Sequence, residues 1–159
     1  HFNIINTPKE KEYVYLFAFG QKAHPFSSPL VSTFIDELDL EKMKAGAELY
    51  EGDHDFRAFC KKPSAEKDTR RTITLSQIVS NNFLNADFFP QPSYAFQVKG
   101  KGFMRNQIRI MMGQLIRLGR HEIDLSYHEK SLKTGFEDHL DLVAPASGLM
   151  LNQINFDKE

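Results

Sequence analysis

The sequence predicts an α+β domain, in which an antiparallel or mixed β-sheet carries helices packed mainly on one face. Strand-like segments recur with long returns between them, instead of the regular strand–helix–strand alternation that accompanies parallel sheets. Stretches with helical periodicity and capping signals lie among these strands. The chain has 159 residues, 41% of them hydrophobic, and one cysteine, so a single domain over 1–159 can bury a core without a disulfide.

The first half of the chain begins with a strand and continues with a helix. Residues 12–20 are apolar on both alternating faces, which is typical of a central strand covered on both sides. Asp39 is placed to cap a helix that carries Leu40 and Met43 on its apolar face and ends by Gly52.

The second half is predicted to hold most of the sheet and the longest helix. Its strands are recognised by β-branched or aromatic residues at alternate positions, and its helices by apolar residues three or four apart. The predicted elements are, in order, a strand over 69–79, a return over 80–92, a strand over 94–102, a helix entered through Gly102, a short helix begun by a Ser126–Glu129 capping box, and a strand over 148–156.

A basic interval dominates the charge pattern. The net charge is only −1, yet no acidic residue lies between Asp87 and Glu122, where the basic residues are Lys99, Lys101, Arg105, Arg109, Arg117 and Arg120. Helical periodicity places Arg105 and Arg109 one turn apart, at the border of an apolar face. A guanidinium half removed from water requires an anionic partner. This concentration of positive charge therefore predicts a phosphate-bearing partner.

Four sequence blocks occur in an order known from one enzyme family. They are KEYVY at 11–15, EGDHDFRAF at 51–59 followed by RTI at 71–73, GFMRNQIR at 102–109 with Gly113, and APASGLML at 144–151. In this order and spacing they resemble the TruA-type tRNA pseudouridine synthases over nearly the whole chain. The resemblance is to the C-terminal half of that family's catalytic domain, and it implies the same α+β architecture.

One motif of the family has no counterpart in this chain. The family's nucleophilic aspartate lies in an Arg-Thr-Asp-x-Gly-Val-His-like motif, and the nearest string here, TRRT at 69–72, has no aspartate after it. The chain begins at His1, roughly where that motif has already passed in the family. We therefore expect a fragment from downstream of the nucleophile, inactive by itself.

The resemblance implies roles for four residues. Arg109 corresponds to the arginine beside the nucleophilic aspartate, and Tyr13 to a tyrosine against the target uracil, so both are catalytic candidates. Leu149 corresponds to a leucine that walls the uracil pocket, and Gly148 would let the backbone approach the base. Plainer explanations stay open: Arg109 could pair with acids of the C-terminal stretch, and Tyr13 and Leu149 could pack in the core. Tyr15 shares the strand face of Tyr13, and motif position alone favours Tyr13.

Further basic side chains are candidates for contact with RNA. They are Lys99, Lys101, Arg105, Arg57 and Arg71. Each alone is explained by a solvated surface charge, whereas the group fits a patch that follows an RNA backbone. No metal site is predicted, because the histidines show no zinc-like spacing with Cys60 or with carboxylates. The resemblance implies no cofactor.

The predicted partner is tRNA, and no membrane association is expected because no apolar run approaches the roughly 20 residues of a membrane helix. A lone cysteine and the lack of a signal-peptide pattern predict a cytoplasmic location. A sheet without the other half of the family's strands should expose an unpaired edge or recruit a second copy, so a homodimer is a further expectation.

The predicted function is the isomerisation of uridine to pseudouridine in the anticodon arm of tRNA by the full-length enzyme. As the resemblance implies, an aspartate attacks the nucleotide, the glycosidic bond breaks, and the uracil rotates and rejoins through carbon. This chain would supply the uracil pocket and the RNA contacts. One alternative is a non-catalytic RNA-binding module that keeps the basic face. Another is a protein-interaction domain that presents Arg105 and Arg109 to acidic partners.

Overall fold

The computed structural model describes residues 8–156, so the predicted domain 1–159 extends beyond the described residues at both ends. Within that range the chain forms one mixed sheet with helices on one face, which confirms the predicted α+β class. The elements are β1 (Pro8–Phe19), β2 (Ser32–Phe34), α1 (Leu40–Glu48), β3 (Gly52–Asp55), a 3-10 turn (Arg57–Phe59), β4 (Arg70–Ser80), β5 (Tyr94–Gly100), α2 (Gln107–Gly119), α3 (Leu125–Lys130) and β6 (Leu149–Phe156).

Strand β1 lies at the centre of the sheet, as its apolar character on both faces predicts. The strand order is β2-β1-β5-β4-β3, and β6 also pairs with β1. β5 pairs antiparallel with one side of β1. On the other side, β6 pairs antiparallel with its first two-thirds and β2 pairs parallel with its last residues. β6 is therefore an edge strand within residues 8–156, and most of its residues are exposed.

The two faces of β1 contact different layers. Tyr15 and Phe17 point into the main core beneath the three helices. Val14 and Leu16 point to a smaller core, which is covered by loop residues such as Phe89. The helices therefore occupy one face of the sheet, while the connections after β1 and β4 cover the other.

Two short strands were not predicted. β2 and β3 have three and four residues, and β3 carries mostly exposed polar side chains. Each of these short strands lies at an edge of the sheet and pairs with one neighbouring strand. Their sequences therefore show no alternating apolar pattern that would predict a strand. The 51–59 block contains β3, whose residues Gly52–Asp55 pair antiparallel with β4.

The helix boundaries confirm one predicted cap, correct another and shift the start of α2. Asp39 caps α1, where its Oδ1 accepts a hydrogen bond of 3.0 Å from the Lys42 N–H. The predicted Ser126 cap of α3 is wrong. The cap is Asp124, two residues before Ser126, and its side chain accepts a bond of 2.7 Å from the Tyr127 N–H. The placement of Arg105 on α2 is also wrong, since α2 begins at Gln107.

No helix among residues 8–156 combines the length and the apolarity needed to cross a bilayer.

Candidate functional site

A cavity of about 270 Å³ lies at the N-terminal end of α2. It brings together three residues that the sequence analysis selected from distant segments, Tyr13 on β1, Arg109 on α2 and Leu149 at the start of β6. The rest of its lining comes from the turn between β5 and α2 and from the first turn of α2, namely Phe103, Met104, Arg105, Asn106, Gln107 and Ile108.

The turn before α2 adopts an unusual backbone conformation that shapes this cavity. Asn106 has a φ of +63°, in the left-handed region that is uncommon for residues other than glycine. Its carbonyl accepts the first bond of the helix, from the Ile110 N–H at 2.9 Å. The buried Gln107 side chain accepts a bond of 2.8 Å from the Met104 N–H, which closes the turn. Periodicity could not predict this turn, because it interrupts a stretch with continuous helical character.

Arg109 is held in place by the segment that precedes β6. Its Nε donates a hydrogen bond of 2.7 Å to the Ala144 carbonyl, and its own carbonyl accepts one of 3.0 Å from the Ala144 N–H. One terminal nitrogen donates to Asn106 Oδ1 at 3.4 Å. The segment lies this close because Gly113 has no side chain, and a Cβ there would collide with the Leu142 carbonyl. The guanidinium is therefore fixed at the cavity.

The charge of Arg109 has no carboxylate partner among residues 8–156. The other arginines of the basic interval behave differently: Arg117 pairs with Glu122 at 3.5 Å, and Arg120 pairs with Asp36 at 2.7 Å. The alternative in which Arg109 pairs with C-terminal acids is therefore absent from the described part of the chain. A half-buried guanidinium that lines a cavity without a counter-charge favours an anion that comes from elsewhere.

Tyr13 and Tyr15 lie in different surroundings. The Tyr15 ring is fully buried, and its hydroxyl lies 2.7 Å from the Pro145 carbonyl and 2.8 Å from Ser32 Oγ. Burial raises the pKa of Tyr15 to about 12. The half-buried Tyr13 ring lines the cavity and meets the Phe103 ring edge-on, with centroids 5.4 Å apart. Of the two tyrosines, Tyr13 is the one placed to meet a ligand.

Gly148 has a role different from the one expected. Its φ is +88°, and a Cβ there would collide with the Leu16 carbonyl. The Gly148 carbonyl accepts a bond of 2.9 Å from the Leu16 N–H. The glycine therefore allows the chain to approach β1, and it is not among the residues that line the cavity. The expected approach of its backbone to a base has no support in this geometry.

Lys99 lies on the opposite face of the sheet from the cavity. It is the β5 partner of Glu12, and its Nζ forms an ion pair of 3.0 Å with that carboxylate. Burial by itself would raise the pKa of Glu12, but hydrogen bonds from Lys99, Asn152 and Gln97 outweigh this effect and lower it. Asn152 is the extra residue of a bulge in β6 opposite Glu12 and Tyr13. Lys99 is thus engaged on the far face and separate from Arg109.

The four other predicted RNA contacts fall into two groups. Arg105 is exposed at the cavity, and Lys101 is exposed in the same turn. The Arg57 guanidinium instead donates to three carbonyls of the loop over 64–67. Arg71 donates to the Asp68 and Arg70 carbonyls. Of these four residues, only Arg105 is among those that line the cavity, and Lys101 lies in the turn between β5 and α2.

Sequence reasoning did not select Phe103, Asn106 and Ile108 as site residues. All three belong to the block over 102–109, so their position near Arg109 in the sequence was the available signal. No three side chains of the types His, Cys, Asp and Glu converge within residues 8–156 in a way that could hold a metal ion.

Comparison with known proteins agrees with the blocks in the sequence. A family model described as tRNA pseudouridine synthase matches residues 47–157. The chain is 33% identical over 149 residues, or 93% of its length, to the tRNA pseudouridine synthase A of Staphylococcus aureus strain MRSA252. The proteins of the same name in strains JH1 and N315 show the same identity. The chain spans about half of these relatives, 53% of the first and 52% of the other two.

Proposed function

Since this chain belongs to the tRNA pseudouridine synthase family, we propose that it forms the uracil-binding part of an enzyme that converts uridine in tRNA to pseudouridine. The observation that carries the proposal is the fixed Arg109 guanidinium, which lines a cavity and has no carboxylate partner among residues 8–156. In the full-length enzyme this cation would face the nucleophilic aspartate of the family, whose motif does not occur in residues 1–159.

Arg109 would act on that aspartate electrostatically. A guanidinium held next to a partly buried carboxylate lowers its pKa and keeps it ionised, which is the form that attacks carbon. The bond from Nε to the Ala144 carbonyl would fix the direction of the remaining N–H donors. We infer that Arg109 positions the nucleophile, while the terminal nitrogens can also bind an anionic group of the substrate.

The apolar side chains of the cavity would hold the base while it is detached from the ribose. The Tyr13 ring offers an aromatic face, and Leu149 and Ile108 offer aliphatic walls. Stacking on an aromatic side chain contributes about 1–3 kcal/mol per base. That amount would offset much of the few kcal/mol needed to turn a nucleotide out of its stack.

The isomerisation balances without a redox step. The aspartate attacks the nucleotide, the bond from C1′ to N1 of uracil breaks, and the uracil rotates in the cavity. A new bond then forms from C1′ to C5 while the bond from C1′ to the aspartate breaks and frees the carboxylate. C5 loses its proton, and N1 gains one. The half-buried Tyr13 hydroxyl has no hydrogen-bond partner among the described residues, so it is free to assist proton movement at the base.

We also propose the finer expectations of the sequence analysis. The uridines would lie in the anticodon arm, and the enzyme would act in the cytoplasm without membrane association. A homodimer is supported by the edge strand β6, which has exposed residues and a single partner strand within residues 8–156.

The test is release of tritium from tRNA labelled at C5 of uridine, measured with the full-length protein. Arg109→Lys should nearly abolish single-turnover release while tRNA affinity stays close to the parental value, because lysine keeps the charge but loses the planar fork. Lys130→Gln, an exposed lysine on α3 outside the cavity, is the control and should react at the parental rate. RNA binding without tritium release by the parent would favour the non-catalytic RNA-binding module. A parental rate for Arg109→Lys would contradict the role of Arg109.

A further inference from the structure

A second cavity borders the candidate uracil site. It has a volume of about 370 Å³ and is lined by Cys60, Lys61, Lys67, Arg105 and Asn106. Arg105 and Asn106 line both cavities, so this pair of residues forms the wall between them. Among residues 8–156, the lining of the second cavity carries three cations and no carboxylate.

The three cations have no carboxylate partner in the described part of the chain, 8–156. Lys61, Lys67 and Arg105 are all exposed, and none of them forms an ion pair of the kind that Arg70 forms with Asp53. The Lys67 amine lies 3.5 Å from the Cys60 sulfur, which holds it at the cavity. Three positive charges around one small space repel one another unless an anion lies between them.

The loop that carries Lys67 has a defined shape. The Arg57 guanidinium donates hydrogen bonds of 3.3, 3.3 and 3.1 Å to the carbonyls of Ser64, Ala65 and Lys67. The Lys67 N–H also donates to the Ser64 carbonyl at 3.1 Å. Arg57, predicted as a phosphate contact, is therefore placed to position a loop that presents a different cation.

Asn106 adds a neutral donor to the same wall. Its Oδ1 accepts from Arg109, so its amide nitrogen points away from that guanidinium and has no partner within residues 8–156. Two ammonium groups, a guanidinium and an amide N–H make a donor set that matches the oxygens of a phosphate.

We propose that this second cavity binds one backbone phosphate of the RNA strand, next to the nucleotide that enters the candidate uracil site. The proposal rests on the proposed function, because it takes the neighbouring cavity as the place of the target base. A phosphate held by Lys61, Lys67 and Arg105 would fix the register of the strand, so that one nucleotide faces Arg109. This contact would position the RNA and would read no base.

The test combines protein variants with uncharged phosphates in the full-length protein. The RNA probes are anticodon stem-loops in which one loop phosphate at a time is replaced by a neutral methylphosphonate, and binding is measured by fluorescence anisotropy. The variants are Lys61→Gln and the double variant Lys61→Gln/Lys67→Gln. Lys61 makes no side-chain hydrogen bond within residues 8–156, so its replacement leaves the fold intact. Lys130→Gln is again the matched control.

We expect the double variant to flatten the plot of log affinity against log salt by up to about 0.7 to 0.9, the value for one lost phosphate contact. Referred to 1 M salt, that change corresponds to about 5- to 8-fold weaker binding at 0.1 M. One methylphosphonate should weaken binding of the parent, and the same replacement should cost the double variant much less. Lys61→Gln alone should change the salt slope by about half as much as the double variant does. The control should match the parent.

Two results would overturn the subsite. In the first, Lys61→Gln and the double variant keep the parental salt slope. In the second, binding weakens, but every methylphosphonate costs the double variant as much as it costs the parent. The lysines would then attract the RNA only through the overall electrostatic field of the protein. Failure of the proposed function is a separate result, because it would appear as absent tritium release from the parent while these binding measurements remain readable.

Discussion

Lowering the pH from 7 to 5 should destabilise the protein through one buried histidine. His128 lies in the core between α1 and α3, with no exposed surface. Its Nε2 donates a hydrogen bond of 3.0 Å to the Gly46 carbonyl, and its ring meets that of Tyr50 with centroids 4.8 Å apart. Its Nδ1 is buried and has no hydrogen-bond partner in the described range. A proton added at Nδ1 would therefore create a buried, unpaired charge.

The magnitude follows from the shift of the pKa. Burial lowers the pKa of His128 from 6.5 to about 4, against a smaller opposite effect of the Gly46 carbonyl. The unfolded state thus binds more protons than the folded state between these values, so stability is full above pH 6.5 and falls as the pH drops toward 4. Between pH 7 and pH 5 the loss should be about 2 kcal/mol, since one pKa unit corresponds to about 1.4 kcal/mol.

The assay is urea unfolding of the parent and of His128→Gln at pH 7, 6 and 5. Glutamine retains an N–H donor for the Gly46 carbonyl and does not titrate, so the variant should start less stable and lose about 2 kcal/mol less over this range. His139→Gln, at an exposed histidine, should show the full parental loss. Equal losses in the parent and in His128→Gln would refute the reasoning.

Three other predictions follow from the site and its support. Arg105→Ala and Lys101→Ala should each weaken tRNA binding and flatten its salt dependence by just under one unit, whereas the exposed Glu137→Gln should not; a parental slope would mean that neither side chain touches phosphate. Gly113→Ala should lower the free energy of unfolding by about 1–3 kcal/mol, because its Cβ would meet the Leu142 backbone, and an unchanged Tm would contradict the close packing. The 159-residue chain alone should release no tritium from C5-labelled tRNA, since no carboxylate from the described range 8–156 lines the cavity.

The sequence was most informative where one local pattern decides the structure. Apolar residues on both faces of 12–20 predicted a central strand, and Asp39 predicted a cap, because each depends only on near neighbours. The sequence analysis grouped Lys99 with the RNA contacts because its partner, Glu12, is distant in the sequence. Which strands pair depends on the tertiary fold and cannot be inferred from near neighbours. Only the register that sets Lys99 opposite Glu12 shows that it lies on the far face.

The candidate site shows the same limit. Motif position selected Tyr13, Arg109 and Leu149, and the structure brings all three to one cavity. The turn at Asn106 was hidden, because its left-handed backbone is imposed by packing rather than by a glycine in the sequence. The three lysine and arginine side chains of the second cavity were equally hidden, since a loop and a turn far apart in the chain bring them together.

The pairing of β6 with β1 has a consequence for the order in which the protein assembles. Asn152 bonds Glu12 across 140 residues of sequence, and Leu149 pairs with Tyr15 in the same ladder. Closing so long a loop is entropically costly, so β6 should dock late, after the helices and the β4–β5 hairpin have formed. During synthesis the cavity would stay open on the Leu149 side until β6 has left the ribosome. A nascent chain stalled before that point would carry Tyr13 and Arg109 without the Leu149 wall of the cavity.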